Sequence, residues 1–174
     1  MAMSTNKKTA LSAAVIALVV AGAGSDKILD KFLQEKEGFS LESYRDGAKV
    51  WTDCNGRTEG VKTGSVATVA ECKEWLKQEI GRRFIHVDRT IKVQLSPAAR
   101  AGVTSFCFNV GNSSCENSSA IRLINQGNRA GGCDAMLRFK YITRGSRKID
   151  CSAVQPYCSG LWERRLAERE LCML

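Results

Sequence analysis

The spacing of apolar residues changes three times along this chain, and each change marks a candidate boundary. Residues 9–25 form an uncharged run behind Lys7 and Lys8. Its strongly apolar members are Leu11, Val15, Ile16, Leu18, Val19 and Val20, and the other eleven are Ala, Gly, Ser or Thr. A helical period follows. Ser25 or Asp26 is placed to cap a helix to about Glu37, with Ile28, Leu29, Phe32 and Leu33 on one face and Gly38 as its stop. Residues 39–66 lose that period, and turn-forming residues surround short apolar pieces near Val50 and Trp51, which predicts a small β-hairpin lobe. From Thr68 the helical period returns through Val69, Cys72, Trp75, Leu76, Ile80 and Phe84.

The remaining signals are helical. Ser96-Pro97 is an N-cap followed by Pro at the first helical position, opening a helix to Val110. Shorter helices are expected over 119–125 and from Cys133 to about Phe139, a loop over 143–159, and a last helix over about 160–171. In that helix Arg164 and Glu168 form an i,i+4 pair, on what the interleaved Glu163 and Glu170 suggest is a solvated face. The fold class is α+β: mostly helical, with a small β-hairpin lobe at about 39–66, a helical lobe at about 67–174, and an N-terminal membrane-anchor helix. The division is a segment 1–25 and a body 26–174.

The N-terminal run has two readings. As one helix its 17 residues span about 25 Å, slightly short of a hydrocarbon core of about 30 Å. Its six strong residues supply roughly −2 to −4 kcal/mol of insertion free energy, partly offset by the small and polar ones. Ala21-Gly22-Ala23 would suit removal as a signal peptide. The reading preferred here keeps the segment as a weak anchor in the bacterial inner membrane, with the Lys pair cytoplasmic and the body periplasmic. On leaving the membrane, residues 9–25 would dock on the body beside Glu37.

Composition narrows the partners. At 44% hydrophobic and 25% charged, the 174 residues read as one globular body. The net charge is +8, which favours anionic partners such as nucleic acid, lipid or acidic wall polymer. No nucleic-acid signature accompanies it, so nucleic acid is set aside. Eight cysteines, Cys54, Cys72, Cys107, Cys115, Cys133, Cys151, Cys158 and Cys172, follow an export-type segment and are expected in disulfides whose pairing sequence leaves open. There is no CxxC and His86 is the only histidine, so no metal or cofactor is expected, and the protein is read as a monomer.

The candidate chemistry lies in 37–58, EGFSLESYRDGAKVWTDCNGRT. Glu37 ends a helix near Phe32 and Phe39, an apolar setting that suits a proton donor to a leaving oxygen. Asp46 sits in the polar turn YRDG beside Arg45, a setting that suits an ionised partner, and Thr52 supplies a hydroxyl that orients water. Two carboxylates in unlike environments are what glycoside hydrolysis requires.

This block resembles the EGxxLxxYxDxxGxxTxGxGHT block of T4-type phage lysozymes. SFCFNVG at 105–111 is similar to the family's SFxFNxG, and GLWERRLAERELC at 160–172 resembles GLxxRRxxExxLC. The resemblance covers about 31–172 and implies a lysozyme-like fold and hydrolysis of the β-1,4 bond between N-acetylmuramic acid and N-acetylglucosamine in peptidoglycan. Carried over by position, it implies Glu37 as general acid, Asp46 and Thr52 as holders of the attacking water, inversion at the anomeric carbon, and Asn109 as a glycan contact. The first segment resembles the signal-arrest-release segments of certain phage endolysins, which implies host lysis after release to the periplasm. One departure is that Arg57 stands where the family usually has His. A lytic transglycosylase and a basic, membrane-permeabilising protein are the alternatives.

Overall fold

The computed structural model describes residues 10–46, 49–153 and 158–174. In chain order these form α1 (Ala13–Val20), α2 (Ser25–Lys36), β1 (Ser40–Arg45), β2 (Trp51–Cys54), α3 (Val69–Thr90), α4 (Pro97–Val110), α5 (Asn112–Glu116), α6 (Ser119–Asn125), α7 (Arg129–Met136), β3 (Tyr141–Arg144), β4 (Arg147–Asp150) and α8 (Ser159–Met173). The strands make two separate antiparallel hairpins, β1–β2 and β3–β4.

Helix α4 is the hub. Ala98, Ala99, Ala101, Val103 and Phe106 are buried, and α2, α3 and α8 pack around it. Gly102 explains how close α8 comes: a Cβ there would lie 2.7 Å from the Glu168 carbonyl oxygen and 2.9 Å from the Cys172 nitrogen. One apolar cluster joins α1, α2, α3, α4 and α8, and a second joins α3, α4, α6, α7 and α8. The long helix α3 starts at a capping box, where the Thr68 hydroxyl accepts from the Glu71 N–H and the Glu71 carboxylate accepts from the Thr68 N–H. It carries the chain from the β1–β2 lobe into the helical lobe.

All eight cysteines pair: Cys54–Cys72, Cys107–Cys115, Cys133–Cys172 and Cys151–Cys158. The first ties the end of β2 to α3, and the third ties α7 to α8. Disulfides were the expectation; their connectivity is new information.

Several elements differ from the sequence reading. The stretch expected as a loop over 143–159 contains most of the β3–β4 hairpin, paired in register from Tyr141↔Asp150 to Arg144↔Arg147. Gly145, at φ 62°, makes the two-residue turn possible. Helix α7 begins four residues earlier than Cys133, capped by Asn128, because Gly131 and Gly132 conceal the pattern; Gly132 allows contact with Ile124 and the Ala120 carbonyl. Helix α5, closed onto α4 by Cys107–Cys115, was not expected at all.

The N-terminal run also behaves differently from one 17-residue helix. Helix α1 has eight residues and ends before Gly22, which takes φ 70°. At 1.5 Å per residue it is about 12 Å long. Among the described residues, no helix is long and apolar enough to cross a membrane. Leu11 and Val15 are buried in the core with Ile28, Leu29 and Leu171, while Ile16, Leu18 and Val19 pack at its margin and Val20 is exposed. The Ala10 N–H donates to Glu170 on α8 at 2.8 Å, and the Ser12 hydroxyl donates to Glu35 on α2 at 3.0 Å.

Candidate active site

Glu37 is the first residue past α2. Its N–H closes the helix on the Leu33 carbonyl at 2.8 Å, and its backbone then turns extended, at φ −92° and ψ 141°. That change aims the side chain away from the α2 core stripe and towards α8. There its Oε1 accepts from Arg164 Nη1. The apolar surround expected from Phe32 and Phe39 is not what the carboxylate meets: Phe32 belongs to the core, and Phe39 is 54% exposed. The immediate partner is a guanidinium.

Arg164 belongs to a larger buried set. Its Nε donates to Glu168 Oε1 at 2.9 Å, and the Ser105 hydroxyl donates to the same oxygen at 2.7 Å. Arg165 Nη1 donates to Glu168 Oε2, its Nε donates to the Phe139 carbonyl at 3.0 Å, and its Nη2 donates to Asn109 Oδ1. Glu168 is fully buried, not on a solvated face. Two guanidinium groups and two carboxylates therefore share one site, and their formal charges cancel. Burial opposes the charge on Arg164, but Glu168 and Glu37 outweigh it and raise the pKa of the guanidinium. At Arg165 burial wins and lowers the pKa, against the attraction of Glu168.

The other two predicted catalytic residues belong to the β1–β2 hairpin. Tyr44 pairs with Thr52 and Arg45 with Trp51, after a bulge that shifts the register from Ser40↔Cys54. Asp46 lies just past β1. Gly47 and Ala48, part of the turn read in the sequence, lie outside the described residues. Asp46 Oδ1 accepts from the Val50 N–H at 2.9 Å, and the Thr52 hydroxyl donates to the Val50 carbonyl at 3.1 Å. One residue, Val50, thus orients both proposed water-holding side chains. Thr52 is only 3% exposed, so its rotamer is fixed.

Arg57 has a clear task. It clamps the fully buried Asp53 through two bonds of 2.7 Å, from Nε to Oδ1 and from Nη2 to Oδ2. The Asp53 carboxylate raises the pKa of Arg57, chiefly through that hydrogen bonding. Backbone bonds between 53 and 57 close the same turn. Arg57 therefore supports the segment that carries Thr52.

Asn109 lines a cleft of about 980 Å³, together with Phe139, Tyr141, Leu161 and Arg165. Glu37, Asp46 and Thr52 are not among its lining residues. Glu37 is connected to it through Arg164, Glu168 and Arg165, ending at Asn109. The sequence reading missed these three residues as parts of the site. A signal existed: Leu161, Arg164, Glu168 and Leu171 share one helical stripe, and charges on an otherwise apolar stripe are either buried in pairs or misplaced. Among the described residues no cluster of His, Cys, Asp and Glu is arranged to hold a metal.

Comparisons with known proteins agree with this architecture. A model of the phage lysozyme family matches residues 34–168. The SAR-endolysin of Escherichia phage N15 is 41% identical over 169 residues, covering 92% of this chain and 93% of that protein. A probable prophage lysozyme of Escherichia coli strain K12 is 38% identical over 174 residues, covering 97% and 96%. Among solved structures, the endolysin of Escherichia coli O157:H7 phage FAHEc1 superposes with a TM-score of 0.74 at 26% identity, over 83% of this chain and 90% of that one.

Proposed function

The chain belongs to the phage lysozyme family, and from that premise we propose that Glu37 donates the proton and that Asp46 and Thr52 hold the water in cleavage of peptidoglycan. The protein is a phage endolysin, a muramidase of the glycoside hydrolase type that lyses its host from the periplasm. The bond cut is the β-1,4 link from N-acetylmuramic acid to N-acetylglucosamine. Proton transfer to the glycosidic oxygen lets the sugar leave as an alcohol, and water held on the other face of the ring adds to the anomeric carbon with inversion. Arg164 occupies Glu37 Oε1. Among the described residues Oε2 has no hydrogen-bond partner, which suits it to carry the transferred proton.

The observation that carries this reading is the shared anchorage of Asp46 and Thr52 on Val50. A water bridging a fixed hydroxyl and a fixed carboxylate is activated by orientation as well as by basicity. Asn109 holds the glycan from the helical lobe. Its test is Glu37→Gln against wild type on isolated peptidoglycan, reading released reducing ends. A fall of about 10²-fold or more is expected for loss of a general acid, with an unchanged circular dichroism spectrum. Comparable activity would sink the assignment.

Residues 1–25 are the releasable segment and 26–174 the catalytic body. In the membrane, residues 9–25 anchor the protein; once released, Ala13–Val20 fold as α1. Support comes from packing: Val15 is fully buried beside Ile28 and Leu29, so removal at Ala21–Ala23 would uncover part of the core. Adding leucines to residues 9–25 holds the segment in the bilayer and abolishes lysis; unimpaired lysis would overturn this.

A further inference from the structure

A groove of about 560 Å³ runs between α2 and α3, and none of Glu37, Asp46, Thr52 or Asn109 lines it. Its walls are two helical stripes at i, i+4, i+8 spacing: Asp26, Asp30 and Gln34 on α2, and Lys73, Lys77 and Gly81 on α3. Lys27 joins them, and the buried Ile80 and Phe84 supply an apolar lining. An acidic stripe thus stands across the groove from a basic one, yet the two do not close on each other. Elsewhere on the same helices opposite charges do pair: Lys31 with Glu35 at 3.1 Å, and Glu79 with Arg82 and Arg83 at 2.7 and 2.6 Å. Among the described residues Asp26, Asp30, Lys27, Lys73 and Lys77 take part in no ion pair, and Asp30 accepts from the neutral Gln34 amide at 2.9 Å. Gly81 leaves the space open, since a Cβ there would meet nothing within 4 Å.

We propose that this groove holds the headgroup of a phospholipid carrying both a phosphate and a primary ammonium, with the phosphate on Lys73 and Lys77 and the ammonium on Asp26 and Asp30. This rests on the reading of residues 9–25 as a membrane anchor. That reading puts the groove at a bilayer. Residues 9–25 carry no charge, and Asp26 and Lys27 are the first charged residues behind them. With 9–25 in the hydrocarbon, Asp26 and Lys27 lie in the headgroup layer, about 5–8 Å deep on each side. The acidic stripe climbs from there to Gln34, about 12 Å at 1.5 Å per residue. No residue of 9–25 lines the groove, so its occupant does not compete with α1. The charge pattern selects the headgroup. A purely anionic one would be repelled by Asp26 and Asp30, and a quaternary ammonium has no N–H to give them. A phosphate beside a primary ammonium satisfies both walls, while Ile80 and Phe84 suit the glycerol and first methylenes. A weak anchor gains a second attachment in this way, which is what stable membrane residence requires.

The test uses the full-length protein and flotation with vesicles of phosphatidylcholine alone, or with added phosphatidylethanolamine, or with added phosphatidylglycerol. Each variant is compared with wild type, so that any contribution of residues 9–25 cancels. Wild type is expected to bind the ethanolamine vesicles about three- to tenfold more tightly than phosphatidylcholine alone, the scale of a few partly exposed charge pairs. Asp26→Asn with Asp30→Asn should erase that preference yet tighten binding to phosphatidylglycerol, because the net charge rises. Lys73→Gln with Lys77→Gln should weaken binding to both. Gly81→Met fills the groove without changing charge, and should erase the ethanolamine preference while binding to phosphatidylglycerol is kept. Arg144→Gln with Arg147→Gln removes two charges from the β3–β4 hairpin and should leave the preference intact. The proposal is overturned if wild type binds ethanolamine and choline vesicles equally, if the Asn pair or Gly81→Met keeps the preference, or if the Arg144, Arg147 control loses it. Binding that follows phosphatidylglycerol alone would leave only a diffuse basic surface and overturn it as well. Failure of the anchor reading would look different: added leucines in residues 9–25 would leave lysis unimpaired while the vesicle preference persisted.

Discussion

Glu37 and Asp46 are close neighbours in sequence, yet they are supported in opposite ways. Glu37 is gripped by Arg164, 127 positions away, and through it by a buried set of charges on α4 and α8. Asp46 is held by the Val50 N–H four positions on, and Thr52 by the Val50 carbonyl two positions back. The first support is long-range and desolvated. The second is local, with Asp46 partly exposed and Thr52, six positions on, buried. In the proposed roles, the acid must keep one orientation against a leaving oxygen, whereas the water held at Asp46 needs access to bulk water to refill. The contrast predicts that damage to the helical lobe unfolds the protein, while damage to the hairpin disables it with less loss of stability.

The strongest way to break the comparison is Glu168→Gln. It leaves buried Arg164 with Glu37 alone, and buried Arg165 with no carboxylate partner among the described residues. Removing one member of a buried ion set costs about 3–5 kcal/mol. A large fall in Tm is expected, together with loss of activity through a displaced Glu37. A variant with wild-type Tm would mean that the set tolerates an uncompensated guanidinium, contrary to its burial.

Next in size is Cys54→Ser with Cys72→Ser. That disulfide closes a separation of 18 residues and contributes about 3 kcal/mol by chain entropy. Its loss frees the end of β2 from α3. Hydrogen exchange should rise across β1 and β2 and stay slow across α4 and α8. Equal loosening of both lobes would show that the hairpin is not a separate unit of stability. A smaller effect is expected for Arg57→Ala, about 1–3 kcal/mol for exposing Asp53 to the loss of its partner, with kcat reduced more than KM is raised, because Thr52 precedes Asp53 directly.

The same contrast explains what could be read from the chain. The Glu37, Asp46 and Thr52 spacing is local, so the helix end, turn and strand around it were legible as pattern. The helix start at Thr68, the Ser96-Pro97 cap and the small hairpin lobe were legible for the same reason. The Arg164–Glu168 pair was seen, but as a surface pair, because i,i+4 spacing is identical whether a helix face is wet or dry. Only the placement of α4 and α8, permitted by Gly102, decides that. The β3–β4 hairpin was hidden by charge: a strand reading looks for apolar alternation, and Arg144, Arg147 and Lys148 supply none. Disulfide connectivity is a property of the assembled fold and of no segment within it.

The smallest effect tests whether a second charged cluster behaves like the first. Glu79 on α3 binds Arg82 at 2.7 Å and Arg83 at 2.6 Å. Burial works to raise its pKa, but the two guanidinium groups together outweigh it and lower the value below that of a free carboxylate. The folded state therefore binds the Glu79 proton less readily than the unfolded state. This contributes stability that is present above the ordinary pKa of about 4.5 and is lost as pH falls through the lower folded value. Arg82 is more than half exposed, so screening limits the gain to about 1 kcal/mol. Glu79→Gln should then lower Tm by a few degrees at pH 6 to 7, with a difference that shrinks below about pH 4. If the deficit of Glu79→Gln stayed constant down to pH 3, its cause would be packing rather than charge, and the ionic account would hold for the Glu168 set alone.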